Sequence, residues 1–114
     1  MRGSLTAVLE RNATLSGAFA TEPYEAAWAI EARWFVHTLQ RHGDDTRIHV
    51  VTQVSPDGLH WCDLDESRDL GETGLATWPS TNFGGWLRVS GRVLDTATGA
   101  DATAKVMITL ALKA

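Results

Sequence analysis

The stretch Trp28-Ala29-Ile30-Glu31-Ala32-Arg33-Trp34-Phe35-Val36-His37-Thr38-Leu39 decides the fold. Its Glu, Ala, Arg and Leu are good helix formers. On a helical wheel, however, Ile30 and Trp34 fall away from the stripe of Trp28, Phe35 and Leu39. Read with period two, Trp28, Ile30, Ala32, Trp34, Val36 and Thr38 make one unbroken face, while Glu31, Arg33 and His37 point the other way. Alternate side chains of a strand lie on opposite sides of a sheet, so this spacing predicts a long strand, with a helix as the competing reading.

The same period continues downstream. Ile48, Val50, Thr52 and Val54 share a face over residues 47–54. Ser55-Pro56-Asp57-Gly58 then has the composition of a tight turn, with Pro second and Gly last. A returning strand over 59–64 would set Val54 opposite Leu59, Thr52 opposite Trp61 and Val50 opposite Asp63. Pairing Leu39 with Arg47 keeps the inward faces together, leaves residues 40–46 as a loop, and predicts a row of Trp34, Thr52 and Trp61 across one sheet. Two further alternating segments follow. Leu87, Val89, Gly91 and Val93 share a face, as do Ala104, Val106, Ile108, Leu110 and Leu112. Leu5–Leu9 reads as an edge strand, 18–24 as short extended chain broken by Pro23, and 65–82 as the longest irregular stretch. The expected fold is all-β: an antiparallel two-sheet β-sandwich, jelly-roll-like, with residues 1–114 forming a single domain.

Composition narrows the function. The 114 residues carry ten basic and fourteen acidic side chains, a net charge of −4. That balance argues against nucleic acid and anionic membrane surfaces as partners, since both call for a basic face. No apolar run approaches a membrane span and no signal peptide is evident, which predicts a cytoplasmic protein or a component of an assembled particle. The lone Cys62 cannot make an internal disulfide, so packing must hold the fold. Five tryptophans (Trp28, Trp34, Trp61, Trp78 and Trp86) are many for this length.

Each candidate for chemistry has a structural explanation beside it. Pro56, Asp57, Gly58 and Trp61 read as a structural hairpin. The run is similar to the Asp-box hairpin of sialidase-type propellers, with one residue missing between Asp and Trp. Asp63, Asp65, Glu66, Asp69 and Glu72 lack the spacing of a calcium loop and read as a solvated acidic segment. His60 and Cys62, with His49 and Asp63 near them, could serve a small enzyme or a metal site. No metal-ligand spacing, phosphate loop or nucleophile elbow accompanies them, and no cofactor or metal is expected. Trp78, Phe83 and Trp86 bracket the polar, flexible run Trp78-Pro79-Ser80-Thr81-Asn82-Phe83-Gly84-Gly85-Trp86, a composition suited to interface or ligand contact.

The hairpin I-H-V-V-T-Q-V-S-P-D-G-L-H-W (48–61), the strand G-G-W-L-R-V-S-G-R-V (84–93) and the final K-V-M-I-T-L-A-L-K (105–113) together resemble small β-sandwich structural proteins of tailed phages and phage-like particles, including head-decoration and tail-associated subunits. The resemblance covers roughly residues 28–113. It implies a non-catalytic subunit that acts in many copies, either as a homo-oligomer or on a larger protein assembly. A carbohydrate-binding module with exposed tryptophans is the alternative reading, and the small enzyme or metal domain around His60 and Cys62 comes third.

Overall fold

Alternation becomes buried core in four long strands of the computed structural model, which describes residues 3–70 and 74–114. Nine strands occur among the described residues: β1 Ser4–Ala20, β2 Tyr24–Glu25, β3 Glu31–Arg41, β4 Thr46–Ser55, β5 Cys62–Asp63, β6 Arg68–Asp69, β7 Leu75–Thr81, β8 Trp86–Asp95 and β9 Thr103–Lys113. All described pairs are antiparallel, in the order β5-β4-β8-β1-β9-β3-β7, with β2 on β8 and β6 on β4. The chain is all-β, as the period-two reading predicts.

The two sheets expected of a sandwich are joined by one strand. Residues Ser4 to Ser16 of β1 pair with β9, and Gly17 to Ala20 pair with β8. Gly17 marks the crossing. Its φ of 62° lies in the left-handed region, and a Cβ there would stand 2.7 Å from an Asp101 carboxylate oxygen. Only glycine meets both demands without strain. The ladder is therefore one continuous sheet that curls until its halves face each other, β1-β9-β3-β7 against β5/β6-β4-β8-β2.

The core fills the space between the halves. Trp34, Val36, Ile108, Leu110 and Leu112 come from one side, and Ile48, Val50, Leu87, Val89 and Val93 from the other. These are the inward sets read from β3, β9, β4 and β8. Trp34 is fully buried, and its ring stacks on Trp78 with centroids 6.3 Å apart. Both indoles satisfy their N–H groups, as buried polar atoms must. Trp34 Nε1 donates to Ser80 Oγ at 3.1 Å, and Trp78 Nε1 donates to Thr52 Oγ1 at 2.8 Å. The second bond runs from β7 in one half to β4 in the other and pins the halves together.

Several expectations fail. β3 pairs with β7 and β9, and β4 pairs with β8, so Leu39 does not face Arg47. Alternation fixes which way side chains point, but a strand's neighbour need not follow it in sequence. The row of Trp34, Thr52 and Trp61 is accordingly replaced by Trp34, Trp78 and Thr52, which reaches across the core. In the hairpin after β4, Val54 pairs with Cys62 and Gln53 with Asp63. The connection is longer than a four-residue turn, and Leu59 is 78% exposed. The face assigned to 28–38 holds from Ala32 to Val36 but not at its start: Trp28 is 40% and Ile30 72% exposed, because the strand begins only at Glu31. Residues 65–82 contain β6 and β7.

Candidate contact surface

Register places three loops at one end of the molecule. Ser55 and Glu25 both pair with Trp86, Thr81 pairs with Glu31, and Lys113 pairs with both Glu31 and Ser4. The connections 26–30, 56–61 and 82–85 therefore cluster here, together with the start of β1 and the end of β9.

The 55–61 turn is built around two acceptors. Ser55 Oγ accepts from the N–H groups of Asp57 (3.2 Å) and Gly58 (2.8 Å). Asp57 Oδ1 accepts from the N–H groups of Leu59 (2.8 Å) and His60 (2.9 Å) and from the Ser55 hydroxyl (2.9 Å). Asp57 Oδ2 lies 2.6 Å from His60 Nδ1. These bonds, led by the His60 backbone N–H and the His60 ring, hold the Asp57 carboxyl well below the usual carboxylate range. Pro56, Asp57 and Gly58 thus form a turn that secures its own backbone. His60 is tied to that turn, and Cys62 is an exposed residue opposite Val54.

The turn packs on its neighbour. A Cβ on Gly58 would lie 3.3 Å from the Trp86 ring, and one on Gly85, at φ +80°, would run into the Ser55 carbonyl oxygen. The Ala26 N–H donates to the Gly85 carbonyl at 2.7 Å, which brings the 26–30 loop in as well. On the outer side, the Arg88 guanidinium lies 4.3 Å from the centroid of the Trp61 ring. Arg88 Nε donates to Gln53 Oε1 at 2.8 Å, and Gln53 Nε2 donates to Asp63 Oδ1 at 3.0 Å. The result is an ordered aromatic and polar end, with Trp61, Phe83 and Trp86 half-buried and Leu59 standing out.

The three residues expected at a contact separate. Trp86 and Phe83 keep part of their surface at this end. Trp78 is 2% exposed and belongs to the core, because its position on β7 points inward. Trp61 and Leu59 are the apolar side chains that instead keep surface at this end. The acidic residues do not converge: Asp63 accepts from Gln53, Asp65 sits 3.3 Å from Arg68, and Asp69 sits 3.3 Å from His49. Glu72 lies outside the described residues.

The chain is similar to VP2 of infectious bursal disease virus in its subviral particle (TM-score 0.65, 9% identity, 98% of this chain and 32% of that one). It is also similar to the PBSX exported protein XepA (TM-score 0.60, 8% identity, 98% and 36%) and to a second structure of the virus, from the Gt strain (TM-score 0.60, 6% identity, 98% and 32%). The likeness is one of fold. It spans nearly all of this chain but only about a third of the length of each neighbour. No family model matches the chain, and no curated protein matches it. No helix among the described residues is long and apolar enough to cross a membrane.

Proposed function

We propose that this chain is a non-catalytic structural subunit, working as a homo-oligomer or as a decoration on a larger, phage-like particle. The observation that carries this reading is the fold likeness over 98% of the chain to a protein in a subviral particle, at a TM-score of 0.65. The ordered end built by 56–61 and 82–86 supports it. Aromatic anchors held in place before binding lose little entropy on contact. Light scattering across a range of concentrations tests the homo-oligomer, and co-sedimentation with particles from the source cells tests the decoration. A species of 12.4 kDa at every concentration, with no co-sedimentation, contradicts both forms.

A second reading draws on the Trp61 surroundings. An aromatic ring beside Arg88, Gln53 and Asp63 has the chemistry of a sugar platform, although the guanidinium already occupies part of the ring. Titration of tryptophan fluorescence with a panel of glycans tests it. No quenching or blue shift with any glycan would remove it.

A further inference from the structure

Each edge of the curled sheet exposes backbone groups that could pair with another strand, and the structure treats those edges unequally. On β7, the Thr38 N–H donates to the Gly74 carbonyl, so residues 74, 76, 78 and 80 bond to β3 while 75, 77, 79 and 81 turn outward. Pro79 occupies one of the outward positions, where its missing N–H breaks the free edge. That is how edge strands are commonly protected. Beyond β4, the edge consists of two-residue pieces, β5 and β6. Along the β1–β2 edge of the second half, Pro23 interrupts the run.

The first part of β1 has no such guard. The Ala114 N–H donates to the Gly3 carbonyl, and Leu5 and Ala7 pair with Leu112 and Leu110. Positions 3, 5 and 7 therefore bond to β9, and Ser4, Thr6 and Val8 turn their N–H and C=O groups to the open side. Ser4, Leu5, Thr6 and Val8 are exposed, with Leu5 at 41% and Val8 at 40%. The stretch Ser4-Leu5-Thr6-Ala7-Val8-Leu9 contains no proline and no charge. It ends where the register with β9 shifts, between Val8 and Glu10 and again before Ala13.

We infer that this edge pairs with the same edge of a second copy, antiparallel about a two-fold axis through Thr6. The inference rests on the assembly reading and names its surface and register. The three outward residues are evenly spaced about Thr6. Setting Thr6 against the partner's Thr6 also sets Ser4 against Val8 and Val8 against Ser4, so every outward backbone group in the stretch is used. Three such pairs exchange roughly six backbone hydrogen bonds. On the inward side, exposed Leu5 meets Ala7 of the copy. No like charges face each other within the stretch, which matters for a chain of net charge −4. A two-fold interface must be self-complementary, and this strand is.

Cross-linking reads the register directly. Across a hydrogen-bonded antiparallel pair the Cα atoms are about 5.5 Å apart, within the range of a disulfide. In a Cys62→Ser background, Thr6→Cys should give a covalent dimer under mild oxidation. Ser4→Cys alone should not, whereas a mixture of the Ser4→Cys and Val8→Cys chains should. By light scattering the native protein should have twice the 12.4 kDa chain mass or a multiple of that dimer. Thr6→Pro should abolish the pairing, because it deletes an N–H that the subunit itself does not use, and Thr6→Lys should do the same by setting two ammonium groups on the axis. If Thr6→Pro fails to fold, Thr6→Lys and the cysteine pairs decide the question. A native monomer at all concentrations, or an oligomer unchanged by Thr6→Lys, overturns the inference. The second outcome leaves the assembly reading standing on another surface. The first leaves only decoration of a particle, which co-sedimentation tests separately.

Discussion

Replacing Thr52 by valine should expose how the two halves of the sheet are held. The side chains have nearly the same shape, so packing changes little. What is lost is the acceptor for the Trp78 indole N–H, 2.8 Å away, between residues that are 1% and 2% exposed. No water can reach the orphaned donor without opening the core. A buried polar group left unpaired costs about 1–3 kcal/mol, a large share of the ~5–15 kcal/mol that holds a typical domain folded. For a chain of this size the loss corresponds to a fall in Tm of roughly 3–15 °C. Urea unfolding followed by tryptophan fluorescence would measure it, with a lowered midpoint and an unchanged slope. Thr77→Val is the control, because that hydroxyl is exposed and accepts from Arg33 at the surface. The double variant with Trp78→Phe should lose less than the sum of the two single losses. If Thr52→Val and the control unfold within about 0.3 kcal/mol of each other, inside the scatter of independent sites, the bond does not pin the halves and the reasoning fails.

Other perturbations test the loop-bearing end. Gly85→Ala combines a left-handed φ with a collision against the Ser55 carbonyl and should cost about 1–3 kcal/mol, read as a drop in Tm; an unchanged Tm would mean the two loops do not pack as described. Because the folded-state pKa of Asp57 is depressed from 3.8, its contribution to the turn is fully present above about pH 4 and is lost as the pH falls below it; amide exchange at Leu59 and His60 should accelerate there, and Asp57→Asn should flatten that acid dependence. Arg88→Ala should uncover the Trp61 ring and increase iodide quenching of fluorescence, while unchanged quenching would place the guanidinium elsewhere. Leu110→Ala, fully buried on β9, should destabilise by about 2–5 kcal/mol, measured by chemical denaturation.

Much of this architecture is legible in the chain, for a physical reason. A strand buried on one side must alternate, so the inward residues of β4, β8 and β9 can be read one by one, and so can those of β3 from Ala32 onward. Alternation is silent about which strand lies alongside. The sequence thus suggests β4 as the neighbour of β3, which lies between β7 and β9. Pro79 makes β7 look like loop, yet the proline sits where a strand tolerates it, with its nitrogen on the free side. Trp78 then reads as a contact residue while it is in fact the inward residue of an edge strand. The length of β1 is masked by its irregularities: Asn12 at φ 49° and Gly17 at φ 62° break the alternation while the chain keeps pairing. At the contact end, the Ser-Pro-Asp-Gly run identifies a turn. The approach of Arg88 to Trp61 depends on tertiary register, and no spacing within either segment announces it.

The facing of the two halves can be observed through one proton. In NMR spectra of the labelled protein, the Trp78 indole N–H should show a nuclear Overhauser contact to the Thr52 side chain and exchange slowly with solvent. An indole proton that exchanges at the rate of a free side chain, with no contact to β4, would mean that the sheet does not close on itself.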